Sequence, residues 1–215
     1  EHLAAQVQAG TAEFDGTVVF IFQPAEEGEG GAPAMIEDGL FERFPVEAVF
    51  GMHNWPGLPL GEFAVHDGPV MASADRFDIV VRGHGAHAAM PHLGKDSLLA
   101  ATQLVQALQS VVSRTRDPLD SAVLSVTYFQ AGDAYNVIPE QAKLAGTVRT
   151  FSKRVQDQIE QRMQEICQGV GMATGTQIEL TYHRGYPATI NTHPEAHLCA
   201  QVASKLVGKA HVQDK

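Results

Sequence analysis

Cysteine is nearly missing from this chain: Cys167 and Cys199 are the only two. Their number and spacing exclude a disulfide framework, so a reducing compartment, the cytoplasm, is the expected location. Basic charge is also scarce. Lysine and arginine total 15 against 25 acids, for a formal net charge of -10. That excess argues against nucleic acid as a partner, because phosphate contacts need clustered cations. No apolar run approaches the roughly 20 residues of a membrane span, and no secretory leader pattern is visible, so no membrane partner is expected. There is no internal repeat and no low-complexity tract. What remains is 215 residues at 44% hydrophobic and 19% charged, the composition of one large globular domain or two small ones.

The most informative stretch is Pro24-Ala25-Glu26-Glu27-Gly28, with His53 following in Gly51-Met52-His53-Asn54. Two carboxylates come directly after Thr17-Val18-Val19-Phe20-Ile21-Phe22, a short β-branched and aromatic run without alternation. Such a run predicts a strand buried on both faces, as in a parallel sheet. Gly30, Gly31 and Pro33 open a short helix, Pro33 fitting its first turn. Ala48-Val49-Phe50-Gly51-Met52 predicts a second strand that delivers His53. The unit expected is βαβ, with Glu26, Glu27 and His53 just beyond the carboxyl ends of parallel strands, where open α/β sheets place ligands. Carboxylate and neutral imidazole are a normal ligand pair for zinc or a similar ion. Two adjacent acids divide the work: one can bind metal while the other takes a proton from an activated water. The bland alternative is solvated loop charge, which wins for an isolated Glu-Glu pair. Position at strand ends among glycines tips the balance toward function.

Near Ala74 the pattern changes from unbroken to alternating. Phe77, Ile79 and Val81 alternate with polar neighbours and predict a half-buried antiparallel strand. A helix follows, N-capped by Asp96, with Leu98, Ala101, Val105, Leu108 and Val112 on one face. Strands are predicted over 122–130 and 142–150, then a helix carrying Val155, Ile159, Met163, Ile166 and Val170, then a strand over 177–183. The order βαββαβ is the ferredoxin-like arrangement. A last helix is expected on Ala196, Cys199, Ala200, Val202 and Leu206. The domain reading is 1–74, an α/β catalytic domain with a mostly parallel sheet; 75–185, the inserted domain; and 186–215, the return to the first.

The inserted domain holds Gly83-His84-Gly85-Ala86-His87-Ala88-Ala89-Met90-Pro91-His92, three histidines with little packing to do. For His84 and His92 an incidental surface position is as good a reading as a functional one. Asn136 lies in a turn, where its amide can bond substrate or only satisfy the turn. Arg149 falls on the polar side of its strand, where a solvated cation or a cross-strand ion pair is the generic expectation.

These residues also resemble a family. Phe22-Gln23-Pro24-Ala25-Glu26-Glu27-Gly28-Glu29-Gly30-Gly31-Ala32, Met35-Ile36-Glu37-Asp38-Gly39 and Gly51-Met52-His53-Asn54 are similar to the metal-dependent amidohydrolases typified by hippurate hydrolase. Indole-acetyl-amino-acid hydrolases, N-acetyl-diaminopimelate deacetylase, aminoacylase and carboxypeptidase G are relatives. The resemblance implies that Glu26 is the general acid/base, and that Glu27 and His53 are ligands of a two-metal site holding zinc, manganese, cobalt or nickel. It implies that His87 reaches across a dimer interface to stabilise the oxyanion of the partner's intermediate. It implies that Arg149, with Asn136, grips the α-carboxylate of an N-acyl amino acid or short peptide. His84 departs from the family pattern, which has Lys there.

The resemblance also implies further metal ligands, in an upstream Cys/His/Asp segment and at a His near the far C-terminus, and neither segment is present. His193, His197 and Cys199 do not match those contexts. The sequence therefore reads as a piece of a longer enzyme whose complete form hydrolyses hippurate-like amides as a homodimer joined through the inserted domain. A diaminopimelate-type deacetylase and a non-catalytic dimerising piece with an incomplete metal site are the alternatives.

Overall fold

The computed structural model describes residues 1–27 and 30–214. Gly28 and Glu29 of the acid-rich stretch, and Lys215, lie outside the described residues. The chain divides into two compact units, Glu1–Asn54 and Trp55–Lys215.

In the first unit, helix α1 spans His2–Gln8 and ends at Ala9, with Gly10 at φ 67° providing the left-handed stop expected there. Helix α2 spans Gly31–Glu37 behind Gly30, whose φ is 81°, and Pro33 sits in its first turn as expected. Helix α3, Leu40–Arg43, follows. The two flanking strands are not there. Residues 17–22 and 48–52 form no strand among the described residues. Their apolar side chains are open: Phe20 is 62% exposed, Phe22 88%, Val49 60% and Met52 85%. A strand buried on both faces needs hydrogen-bonding neighbours, and no described strand pairs with either segment. The local sequence has strand character, and the missing ingredient is a partner.

The second unit begins with β1, Phe63–Ala64, and β2, Gly68–Met71. Strand β3 spans Asp75–Arg82, and β4, Ala86–His87, follows after a short connection. A 3-10 turn, Pro91–Leu93, leads to α4, Ser97–Arg114. Then come β5, Ala122–Ala131; β6, Val137–Ile138; and β7, Gln141–Thr150. Helix α5, Lys153–Thr174, precedes β8, Gln177–His183, and β9, Thr189–Asn191. Helix α6, His193–Val207, and β10, Val212–Gln213, close the chain.

Strands β5, β7, β3 and β8 form one antiparallel sheet in that spatial order. With α4 and α5 between them, the succession β3-α4-β5-β7-α5-β8 is the βαββαβ order read from the sequence. Alternation sets the core. Phe77, Ile79 and Val81 are at most 1% exposed, and they pack with Leu144 and Val148 against Leu104, Leu108, Ile159 and Met163 of the helices. Gly146 is obligatory in this layer, because a Cβ there would stand 2.1 Å from the Ser125 carbonyl oxygen and 2.5 Å from the Phe77 ring.

Three details differ from expectation. On α4 the buried line is Ala100, Ala101, Leu104, Leu108 and Val111, whereas Leu98 is 40% exposed. The stripe is rotated because the helix packs on both the sheet and α5. On α6, Ala196 and Ala203 are buried, while Val202 is 56% and Leu206 76% exposed. Parallel pairing, expected of a whole domain, is confined among the described residues to β1 with β10. The reason is the same lack of partner strands for residues 17–22 and 48–52. Among the described residues no helix is long and apolar enough to cross a membrane, and both cysteines are free thiols.

Candidate functional site

Glu26 and Glu27 occupy an exposed turn just before α2. Ala25, immediately before them, has φ 49° and is the only non-glycine with positive φ among the described residues. A left-handed alanine costs on the order of 1–2 kcal/mol, so the surrounding fold must hold it. Gly31 shows how the loop is held. A Cβ at that position would lie 1.6 Å from the Pro24 carbonyl oxygen, so the turn folds onto the start of α2 as closely as only glycine permits.

His53 lies in the irregular segment at the end of the same unit. Its Nδ1 is 2.6 Å from the Asn54 carbonyl oxygen. A carbonyl can only accept, so Nδ1 carries the proton and the lone pair lies on Nε2. This is the tautomer in which an imidazole ligates a metal while its other nitrogen is anchored. The donor types Glu27 and His53 therefore suit a divalent ion. Their number does not complete a site: no group of three or more His, Cys, Asp or Glu side chains among the described residues is placed to hold a metal, and stable sites use three or four ligands.

In the second unit, β4 pairs with β6 so that His87 stands opposite Val137. The Ala88 N–H donates to the Asn136 carbonyl at 2.9 Å. His87 and Asn136 are thus brought together on one small ribbon. The Ala89 N–H donates to His87 Nδ1 at 3.2 Å, which puts the proton of the neutral ring on Nε2. That nitrogen is then a donor, the character that contact with an oxyanion requires. The Asn136 carboxamide makes no hydrogen bond among the described residues, so it does not serve the turn. Glycines shape the approach, because a Cβ at Gly83 would meet the Lys95 carbonyl oxygen at 2.0 Å. His84 contributes its backbone, pairing with Lys95, and His92 lies exposed in the 3-10 turn.

Arg149 sits near the far end of β7. Its Nη1 donates to the carbonyls of Val148 at 2.9 Å and Asp75 at 3.3 Å. No carboxylate pairs with it among the described residues, so the generic cross-strand ion pair is not formed. Arg149 is eight residues along β7 from Gln141, a span of about 26 Å in extended chain. His87 and Asn136 follow on from the Arg82–Gln141 end of the sheet. Arg149 and Asn136, expected to act together, stand at opposite ends.

Sequence reasoning missed one group altogether. Asp75 is fully buried, and its carboxylate accepts from Gln156 Nε2 at 2.8 Å, Tyr182 OH at 2.9 Å and the Gly185 N–H at 3.0 Å. The signal was available, since Asp75 shares the inward parity of Phe77, Ile79 and Val81. Burial, reinforced by this carboxylate, pushes the Tyr182 phenol far above its ordinary value of 10.0.

The family model for peptidase family M20/M25/M40 matches residues 2–215. The chain belongs to this family. Hippurate hydrolase of Campylobacter jejuni is 40% identical over 211 residues, covering 98% of this chain and 55% of the relative. N-acetylcysteine deacetylase of Bacillus subtilis is 44% identical over 195 residues, covering 91% of the chain and 51% of the relative. Among solved structures, a chain from methicillin-resistant Staphylococcus aureus superposes with TM-score 0.88 at 31% identity, covering 95% of this chain and 54% of that one. The YXEP protein of Bacillus subtilis, a dinuclear metal-binding peptidase of the M20 family, superposes with TM-score 0.77 at 37% identity, covering 95% and 51%. This M20 chain spans about half the length of the curated relatives it matches. Its fold is the mixed α/β fold of those M20 structures.

Proposed function

We propose that the full-length protein is a metal-dependent amidohydrolase that cleaves the amide bond of N-acyl amino acids of the hippurate type. The observation that carries this reading is the strained turn that presents Glu26 and Glu27, in a chain that aligns over 98% of its length with a hippurate hydrolase. Residues 1–74 and 186–215 are parts of the catalytic domain, and 75–185 is an inserted ferredoxin-like lid and dimerisation domain. The setting is cytoplasmic, with neither nucleic acid nor membrane as partner.

Glu27 and His53 would hold metal, together with ligands from outside the described residues. Bound divalent ions, two per complete site and zinc, manganese, cobalt or nickel by donor type, would acidify a water and polarise the amide carbonyl. Glu26 takes a proton from the attacking water and returns it to the leaving amine. Arg149 offers a planar guanidinium to the substrate carboxylate. His87 Nε2–H donates to the developing oxyanion, and Asn136 acts beside it. Because about 26 Å of strand separates Arg149 from the His87 end, one site takes Arg149 from one chain and the ribbon from a second copy.

Glu26→Gln in the full-length enzyme tests the base. Bound metal per protomer is expected to stay unchanged while turnover of benzoylglycine drops at least 100-fold. Retention of most activity would remove Glu26 from this role. A second reading, deacetylation, is favoured by the 38% identity to N-acetyldiaminopimelate deacetylase of Bacillus subtilis over 175 residues. Relative kcat/KM for benzoyl and acetyl derivatives of the same amino acid separates the two. The 215 residues alone are expected to lose metal on dialysis. Stoichiometric retention would show that Glu27 and His53 need no further ligands.

A further inference from the structure

Asp75 is a carboxylate with 0% exposure and no cationic partner among the described residues. A buried charge persists only where hydrogen bonds replace water, and here they come from four directions. Gln156 belongs to α5, Tyr182 to β8, and Gly185 to the segment leaving the sheet. Ser73 Oγ, from the segment arriving, is a longer contact at 3.5 Å. The two segments cross side by side here. The Ala74 N–H donates to the Tyr186 carbonyl at 3.0 Å, and a Cβ on Gly185 would stand 2.0 Å from the Ala74 carbonyl oxygen.

Arg149 is referenced to this crossing on every side. Its neighbour Val148 pairs with Asp75 in the sheet. Its other neighbour, Thr150, receives the Ser73 N–H on its carbonyl at 2.7 Å and donates its own N–H to Ser73 Oγ at 3.1 Å. The guanidinium itself donates to the main-chain carbonyl of Asp75 at 3.3 Å.

We propose that Asp75 is a positioning residue for Arg149. Its carboxylate fastens the crossing of residues 73–75 with 185–186, and this fixes the carbonyl and the two backbone neighbours that aim the guanidinium at a substrate carboxylate. The inference rests on the reading that Arg149 binds that carboxylate. Asp75 touches no substrate; it acts through the strand end.

The test uses the full-length enzyme and a matched pair of substrates, an N-acyl amino acid and its α-carboxamide. Asp75→Asn keeps the shape of the side chain but loses one acceptor oxygen. In folded Asp75→Asn protein, KM for the carboxylate substrate is expected to rise roughly tenfold, the scale of one weakened charge-assisted hydrogen bond, with KM for the carboxamide nearly unchanged. Tyr182→Phe, which removes a single donor, is expected to give a smaller rise in the same direction. It carries the test if Asp75→Asn does not fold. A lowered Tm with an unaltered carboxylate-to-carboxamide KM ratio in whichever variant folds would make Asp75 merely structural and overturn the proposal. Arg149→Gln is the control: if it leaves that ratio unaltered, the assignment of Arg149 is what fails, and the inference falls with it.

Discussion

Cys167, on the inner side of α5, is 1% exposed, and burial pushes its thiol from the ordinary 9.0 up to about 11. Between those values the unfolded chain gives up the proton and the folded chain keeps it. Stability therefore falls as pH rises through that window, by at most about 3 kcal/mol. Tyr182 acts in the same sense above pH 10, since its phenol is also raised. Denaturant melts of full-length protein at pH 8 and pH 11 are expected to lose less stability for Cys167→Ala than for the parent. Parallel losses would show that the thiol gives up its proton as readily in the folded chain as in the unfolded one, so that burial does not raise it. The histidines teach a different lesson. His53 and His87 have opposite tautomers, one proton on Nδ1 and the other on Nε2, because one ring faces a carbonyl and the other an amide N–H. Imidazole is the right residue for ligand and for donor alike, and its local backbone partner selects which.

Helix α4 shows how an element is set by its ends and its sides separately. Asp96 accepts the Leu99 N–H at 2.9 Å, the N-cap its sequence position predicts. Asp96→Ala is expected to cost about 1 kcal/mol of unfolding free energy, measured by urea denaturation at pH 7. A change below about 0.3 kcal/mol would mean that other contacts fix the start of the helix. The buried stripe of α4 was only partly legible, because a helix wedged between a sheet and a neighbouring helix buries a wider arc than a single apolar line. The strands were legible by parity in β3, β7 and β8, where one face is covered and the other open. Asp75 escaped notice for the same reason: parity marks it as inward, but an acid at the first inward position looks like a strand boundary. Only the donors gathered from α5, β8 and the outgoing segment explain its burial.

For the molecule as a whole, the decisive quantity is the length of β7. With Arg149 at one end of it and the His87–Asn136 ribbon beyond the other, a single copy cannot bring them to one small substrate. Mixing two inactive full-length variants, His87→Ala and Arg149→Ala, and allowing subunits to exchange tests this. Hybrids of the two contain one site with both residues intact, so activity is expected to return to roughly a quarter of the parent level. No recovery after demonstrated exchange would mean that both residues serve the same chain's site. The exposed apolar segments 17–22 and 48–52 belong to this scale too. Their composition specifies strands, yet a strand exists only when another chain segment supplies its hydrogen bonds.

By itself the sequence determined the order of strands and helices in 75–183, the N-cap at Asp96, the acid pair and its glycine-rich frame, and membership of a hydrolase family. The element order, the cap and the acid pair follow from periodicity and from side-chain chemistry, which are local. The family was legible only through the resemblance of whole motifs, which the match over residues 2–215 bears out. Tertiary structure alone decided that Ala25 carries strain, which tautomer each histidine takes, that Asp75 is a buried fastening, and that Arg149 and Asn136 lie at opposite ends of the sheet. The tautomers and the strain at Ala25 are set by the path of the immediately adjacent backbone, which residue types alone do not fix. The burial of Asp75 and the separation of Arg149 from Asn136 depend on which distant segments of the chain arrive side by side, and no local pattern encodes that.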